Sequence, residues 1–593
     1  MSDDKRPKLR SRQWFDDASD PGQTALYLER YLNYGLTLDE LQAGKPIIGI
    51  ANSGSDLTPC NRHFMELMER IKSGIRDGGG VPIEFPVHPI QETGKRPTAA
   101  LDRNLAYLGL VETLQGYPLD GVVLTTGCDK TTPSQIMAAA TVNIPAIVLS
   151  GGPMLNGHYR GNDKIGSGSI IWSAREKLAA GEIDVAGFMA LAASSAPSIG
   201  HCNTMGTALS MNSLAEALGM SLPGCAAIPA PYRERGQMAY HTGKRIVGMV
   251  AEDLTPDKII TRAAVINALR VTSACGGSSN CPPHLLAIAR HAGVEHTIAD
   301  WHEFGHPMPL LVNCQPAGAY LGEDFHRAGG VQAVIRELAG EGLIDNSAVT
   351  VTGKGLIDNL ALDPEPFVNR DVIRAYDQPL MEQAGYMVLS GNLFDNALMK
   401  TSVISDDFRA RYLSNPDDLN AFEVTAFVFE GPEDYHKRIN DPALEIGEQS
   451  ILVIRGCGPV GYPGSAEVVN MLPPDRLVKA GITSLPTLGD GRQSGTSASP
   501  SILNATPEAA IGGGLAKLRT GDLVRVDLNT ASVNALVDPE IWAAREPVAY
   551  VPESQTPWQE IARETVTQLG DGAVIEGSDK YRNTRKAPLR HSH

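Results

Sequence analysis

LDGVVLTTGCDKTTPSQIMAAATVNIPAIVLSGG, residues 119–152, holds the pattern that decides the fold. Residues 119–127 and 144–152 are short apolar runs, each stopped by glycine, and read as buried strands. Between them CDKTTPSQIMAAATV supplies a loop and a helix. Strand, helix and second strand in so short a span make the βαβ unit of a parallel sheet. The unit recurs upstream. KPIIGIA (45–51) and VPIEFPV (81–87) read as strands. Residues 61–79 read as a helix with Phe64, Met65, Met68 and Ile71 on one face, stopped by a Gly pair; Pro59 could start it. An arm and a first helix over Gln23–Tyr34 come before, and helical segments at 213–220 and 283–294 follow. The alternation predicts an α/β fold, a parallel sheet with helices on both faces.

Near residue 385 the texture changes. GYMVLSGNL (385–393), FEVTAFVFEG (422–431), QSILVIRGCGPVGYPG (449–464) and DLVRVDLNT (522–530) are short β-like runs separated by Gly and Pro turns. The chain is therefore expected to divide into an N-terminal α/β domain over 1–384 and a C-terminal β-rich domain over 385–593. The basic tail KYRNTRKAPLRHSH (580–593) is expected to fray.

The 593 residues are too many for one core, and 42% hydrophobic with 20% charged residues is ordinary globular composition. A net charge of −17 argues against nucleic acid and acidic membrane as partners, since phosphates repel such a surface. The first residues, MSDDKRPKLRSRQWFDD, carry no apolar segment of a secretory signal, and no run of 18 apolar residues predicts a membrane span. The cytoplasm is the expected compartment. Eight scattered cysteines without a secretion signal do not make a disulfide framework. Each reads as a buried small hydrophobe, a metal ligand or a nucleophile.

In open parallel sheets ligands sit beyond the carboxyl ends of the strands. SDLTPCN (55–61) and TTGCDKTTP (125–133) both fall there. Cys128 is a soft ligand suited to iron–sulfur clusters, and its neighbour Asp129 a hard one suited to Mg²⁺, so the pair could hold both side by side. The plainer reading is a helix start with Asp129 or Thr131 capping, Cys128 buried and Lys130 solvated. Cys60 and Cys202 sit in similar polar loops, but no C-x-x-C spacing exists, and spacing alone does not pick three cysteines out of eight. Three thiolates would leave one iron an open position, a Lewis acid for a poor leaving group.

Glu92 in IQETGKRPTAA (90–100) is a candidate hard-metal ligand or the partner of Lys95 or Arg96. GCGPVGYPGSAEVVN (456–470) reads as a glycine-rich loop running into a helix; its amides could cradle an anion, with Glu467 in the first helical turn as ligand or as plain N-terminal acid. In LGDGRQSGTSASPS (488–501), Ser494 and Thr496 are candidates for proton transfer and Arg492 for binding a carboxylate, against the alternative of a surface loop with no strand leading sharply into it. GGSSN (276–280) touches substrate or caps a helix, and His88 and His201 read as hydrogen-bonded packing residues.

SDLTPCN, ETGKRPTA, TTGCDKTTP, GHCNTMGTA, GGSSN, TVTGKGLIDNL, GPVGYPGSAEV and DGRQSGTSA together, in this order, resemble the dihydroxy-acid dehydratase / phosphogluconate dehydratase family over about residues 35–569. TALYLERYLNYG, EFPVHPI, RPTAALDRNLAYLGLVE and AIPAPYRERGQMAY are similar to its sugar-acid (pentonate) branch. The resemblance implies dehydration of an aldonic acid, D-xylonate or another pentonate, to the 2-keto-3-deoxy acid. It implies Cys60, Cys128 and Cys202 as ligands of a [2Fe–2S] cluster ([4Fe–4S] in other branches). It implies Glu92, Asp129 and Glu467 as Mg²⁺ carboxylates and Lys130 as a carbamylated ligand. Ser494 is implied as the base and Thr496 as a substrate contact beside it. The implied fold places a β-barrel-like domain at the C-terminus, with the site between the domains, in a homotetramer built as a dimer of dimers. Cys457 and Tyr462, where branched-chain members show Glu and Gly, and Thr496, where they show Gly, depart from the branched-chain pattern. The competing functions are a branched-chain dihydroxy-acid dehydratase, a non-catalytic iron–sulfur sensor and a sugar-acid binding protein.

Overall fold

A computed structural model describes residues 9–160, 163–588 and 590. Its N-terminal sheet has four parallel strands: β1 (Ile47–Asn52), β2 (Val81–Pro86), β3 (Gly121–Thr126) and β4 (Ala146–Ser150). Their order is β2-β1-β3-β4. Every residue of β3, an inner strand, and of β4, the strand that ends the sheet, is buried, as expected of parallel strands covered on both faces. From β1 the chain crosses outward to β2, and from β3 it crosses the other way to β4. The switch point therefore lies between β1 and β3, where the loops after two adjacent strands splay apart and open a crevice. Cys60 is on the loop after β1 and Cys128 on the loop after β3.

The helix Phe64–Asp77 buries Phe64, Met68, Ile71, Gly74 and Ile75. Met65 does not share that face: it is 52% exposed, because one residue along a helix turns the side chain by about 100°. Pro59 opens only a run of turns, and the helix waits until Phe64. The helix Thr131–Val142 is buried all round. That suits its alanine-rich sequence, because small side chains let neighbouring elements close on every side.

A short hairpin, β5 (Gly157–Tyr159) and β6 (Asp163–Ile165), follows. Eight further strands then form one closed barrel: β7 (Tyr386–Gly391), β8 (Phe394–Lys400), β9 (Ala421–Glu430), β10 (Ser450–Arg455), β11 (Thr487–Gly489), β12 (Ile502–Thr506), β13 (Leu523–Asp527) and β14 (Ser532–Ala535). The order around it is β10-β11-β12-β8-β7-β14-β13-β9. Closure leaves no open edge to pair with another chain. The fold is an N-terminal parallel-sheet α/β unit with a C-terminal β-barrel. Of the tail expected to fray, the described part is tied down by Arg585, which pairs with Asp253 at 2.8 Å; residues 589 and 591–593 lie outside the described residues, as do 1–8 of the N-terminal arm. No helix among the described residues is long and apolar enough to cross a membrane.

Candidate active site

The loop after β3 is shaped by one close approach. A Cβ on Gly127 would lie 2.3 Å from Asn61 Oδ1, so only glycine lets Asn61 reach across from the β1 loop. Asn61 Oδ1 then accepts the Cys128 amide at 2.8 Å and ties the two cysteine loops together. The Cys60 and Cys128 thiols are hydrogen-bonding neighbours. Cys202 is brought in by a chain return: His201 bridges to Pro153 just beyond β4 and carries the next residue to the same crevice. Contact with Cys60, burial and Asp129 push the Cys128 thiol well up. Burial, then Cys60, pushes Cys202 up to about 12. Gathered thiols hold their protons unless a cation offsets the crowding of negative charge. The Asn61 amide nitrogen is buried without a protein partner, a spare donor on the residue that joins the two cysteine loops. The other five cysteines are buried.

Hard ligands stand beside the soft ones. One carboxylate oxygen from each of Glu92, Asp129 and Glu467 lies within 4.8 Å of the others. Asp129 Oδ1 also accepts from the Cys128 thiol at 3.1 Å, so adjacent residues face the two sets. Lys130 is not solvated: it is 0% exposed, and its ammonium lies 2.9 Å from Glu92 and 2.8 Å from Asp129. Arg492, 1% exposed, reaches Glu467 at 3.1 Å and Glu92 at 3.3 Å. Its Nε donates to Ser465 O at 2.7 Å, which fixes the guanidinium plane. Burial would raise the Glu92 carboxyl, but Lys130 and Arg492 outweigh it and hold it down to about 2. Burial, then Glu92, pushes Glu467 up to about 7. Two cations thus leave the third carboxyl short of positive charge, a donor set that fits a divalent ion.

Glu92 begins a short 3-10 turn and accepts from Thr98 Oγ1 at 2.5 Å. Thr98 in turn caps the helix Ala99–Gly116. Glu467 is not in a helix. Residues 465–470 form neither helix nor regular strand, and Glu467 pairs with Arg492 in an isolated parallel bridge. The glycine-rich loop before it has no free anion cradle: Val460 and Gly461 amides point at Glu508, and Gly456 and Cys457 amides at Asp490. The protein's own buried carboxylates fill the nest.

The loop at 488–501 is no surface loop. It leaves β11 directly, Arg492 and Gln493 are buried, and Ser494 is half-buried. Ser494 Oγ lies 2.9 Å from Thr496 Oγ1, and the Ser494 amide donates to Asn470 Oδ1 at 3.2 Å. A cleft of about 560 Å³ opens onto Glu467 and Asn470, walled by Trp172, Arg175, Tyr435 and His436. That is ample for a small polyhydroxy acid.

Some groups were not singled out from sequence. Asn280, the last residue of GGSSN, donates to Glu467 at 2.6 Å and accepts from Arg492 at 3.0 Å. Asn61 and Thr98 lie inside SDLTPCN and ETGKRPTA but are given no role there, and Asn470 and Trp172 are not named; their roles come from contacts with Cys128, Glu92 and Arg492, Ser494, and Thr496. His201 is buried between Cys202 O and Asn212, and His88 pairs with Asp102 at 3.0 Å.

Comparison with known proteins agrees with this architecture. Residues 45–359 match the dihydroxy-acid/6-phosphogluconate dehydratase N-terminal family and residues 371–573 its C-terminal counterpart. The chain is 61% identical to the D-xylonate dehydratase of Caulobacter vibrioides over 588 residues, 99% of this chain and 98% of that one. It is 43% identical to the L-arabinonate dehydratase of Rhizobium leguminosarum bv. trifolii over 540 residues, 91% and 90% of the two chains. It is 37% identical to a dihydroxy-acid dehydratase of Methanospirillum hungatei over 513 residues, 85% and 89% of the two. On these matches and this two-part fold, the chain belongs to the dihydroxy-acid/6-phosphogluconate dehydratase family.

Proposed function

We propose that this protein is a hydro-lyase that dehydrates an aldonic acid, D-xylonate or another pentonate, to its 2-keto-3-deoxy acid. The observation that carries the reading is the junction at Cys128–Asp129, where a group of thiols and a group of three carboxylates meet beside the Ser494 loop. The substrate class is supported by the sugar-acid dehydratases among the relatives, at higher identity than the dihydroxy-acid dehydratase.

Cys60, Cys128 and Cys202 would hold an iron–sulfur cluster, in our reading [2Fe–2S], and Glu92, Asp129 and Glu467 a Mg²⁺ ion. When bound, these groups supply Lewis acidity, at the C3 hydroxyl on the iron side and at the carboxylate and C2 hydroxyl on the magnesium side. Lys130, between Glu92 and Asp129, would lose its proton more readily with a divalent cation held there, as a carbamate at Lys130 requires.

Ser494, as the alkoxide, takes the proton from C2 of the substrate and becomes the hydroxyl. A serine hydroxyl is too weakly acidic to act unaided, so it depends on nearby positive charge and on donors to its oxygen. Thr496 touches the substrate beside it. Hydroxide leaves C3 and recovers the proton from Ser494 as water, which restores the alkoxide; the resulting enol tautomerises, and the balance is one water lost per aldonate. Asn280 and Arg492 hold Glu467 in place, and Arg492 also holds Glu92.

The same reading includes a cytoplasmic homotetramer. Leu57 and Met65, 75% and 52% exposed on either side of Cys60, are apolar groups that a neighbouring subunit would cover. Sedimentation of the purified protein tests the assembly.

Ser494→Ala tests the chemistry. Turnover of D-xylonate should vanish while the visible cluster absorbance stays, and full activity in that variant would falsify the base assignment. Assaying D-xylonate beside dihydroxyisovalerate separates the sugar-acid reading from the branched-chain one, and Mg²⁺-dependent turnover rules out a mere sensor.

A further inference from the structure

Trp172 lies on the helix Ser169–Ala180, far in sequence from the Ser494 loop. The two are pressed together. Gly168, which starts the helix, has φ +81°, and a Cβ there would lie 2.5 Å from Thr496 Cγ2. A Cβ on Gly206 would lie 2.9 Å from the same methyl. Thr496 therefore sits in a seat made by two glycines of the N-terminal part. In that seat Trp172 Nε1 donates to Thr496 Oγ1 at 3.1 Å. Thr496 Oγ1 is 2.9 Å from Ser494 Oγ, and the Thr496 amide lies 3.4 Å from the same oxygen. Arg175 stacks on the indole at 4.9 Å and holds the ring plane.

The donor count gives this chain a direction. An indole N–H only donates, and a threonine hydroxyl has one proton. Among the described residues Thr496 Oγ1 has two partners, the indole and Ser494 Oγ. The buried hydroxyl is satisfied when it accepts from Trp172 and donates to Ser494. Ser494 Oγ then receives two donors, which support it as the alkoxide and leave its third lone pair free for the C2 proton. The reverse direction, with Ser494 donating to Thr496, leaves the threonine proton without an acceptor.

Resting on the reading of Ser494 as base, we propose that Trp172 is a positioning residue that fixes the direction Trp172→Thr496→Ser494, so that Ser494 meets the substrate C2–H as a proton acceptor already supported by donors.

The test uses the metal-loaded enzyme with D-xylonate and its C2-deuterated form. Trp172→Phe keeps the ring and loses the N–H. It should lower kcat about 10-fold, less than the loss of a donor in direct contact with the reacting oxygen. KM should stay within about 2-fold, and the deuterium effect on kcat should rise. Thr496→Val should do at least as much, and Thr496→Ser, which keeps the hydroxyl, should recover most of that loss. Trp172→Phe added to Thr496→Val should change little further, because the chain is already cut. With 5-fluorotryptophan in the same preparation, Thr496→Val should shift the ¹⁹F resonance that Trp172→Phe removes. Losses that multiply in the double variant, a rise in KM alone, or a wild-type isotope effect in both Trp172→Phe and Thr496→Val would overturn the proposal. If Ser494→Ala stays active, the base reading fails instead; if Ser494→Ala is dead and Trp172→Phe is unaltered, the positioning role alone fails.

Discussion

Replacing Gly127 with alanine places a methyl carbon 2.3 Å from Asn61 Oδ1, more than an ångström inside van der Waals contact. Asn61 is fully buried, and its backbone is held by Thr58 and Phe64, so the side chain must rotate away rather than the loop retreat. Rotation frees the Cys128 amide from its 2.8 Å bond. A buried N–H left without a partner costs about 1–3 kcal/mol. At roughly 2 °C per kcal/mol, the low end for large domains, the melting temperature of the metal-free protein should fall by about 2–6 °C. The cysteine loops should also part, so iron retained after anaerobic reconstitution should drop. The partner variant Asn61→Ala removes both the struck oxygen and the amide's acceptor. Gly127→Ala on that background should therefore add almost nothing, a coupling of about the full single-variant cost. Thermal unfolding and iron analysis of the three variants decide it. Wild-type stability and iron in Gly127→Ala, or costs that add in the double variant, would refute the account of how the two loops are joined.

Lys130→Met leaves Glu92 and Asp129 facing each other without their ammonium and should destabilise the metal-free protein by about 3–5 kcal/mol in urea unfolding. Glu92 is held down to about 2 in the fold, so its contribution is present above about pH 4.5 and is lost as pH falls toward 2; Lys130→Met should lose less over that window. Glu508 has the opposite sign. Burial, with Asp490 beside it, pushes its carboxyl up to about 7. The fold keeps a proton there that the unfolded chain releases near 4.5, so stability falls as pH rises from about 4.5 to 7, by up to about 3 kcal/mol. Glu508→Gln should flatten that slope in a pH series of unfolding curves.

Much of this molecule is legible from residue order. The β-branched runs between glycines give β1 to β4 to within a few residues, because a buried parallel strand needs little more than apolar side chains and stops. The change of texture near residue 385 announces strands, but β11 is three residues long and no local pattern marks closure into a barrel. Periodicity placed Met65 with Phe64, Met68 and Ile71; the turn per residue separates it from them. The segment 456–470 reads as a glycine-rich loop running into a helix with Glu467 in its first turn. Arg492 instead captures the segment in a bridge that only tertiary contact provides. The glycine-rich loop has the composition of an anion nest, yet the carboxyl groups of Glu508 and Asp490 already occupy its amides. Sequence shows the amides but not what faces them. The roles of Asn61, Asn280 and Trp172 stay hidden for the same reason: hydrogen bonds that span 67, 187 and 324 residues leave no trace in local spacing.

The central claim is that soft and hard ligands share one crevice at Cys128–Asp129. Anomalous diffraction at the iron and manganese edges tests it most directly, on crystals of anaerobically reconstituted protein with Mn²⁺ in place of Mg²⁺. The account predicts iron bonded to the sulfurs of Cys60, Cys128 and Cys202, and manganese bonded to the carboxylates of Glu92, Asp129 and Glu467, with Ser494 beside them. Iron on any of the other five cysteines, or manganese away from those three carboxylates, would contradict it.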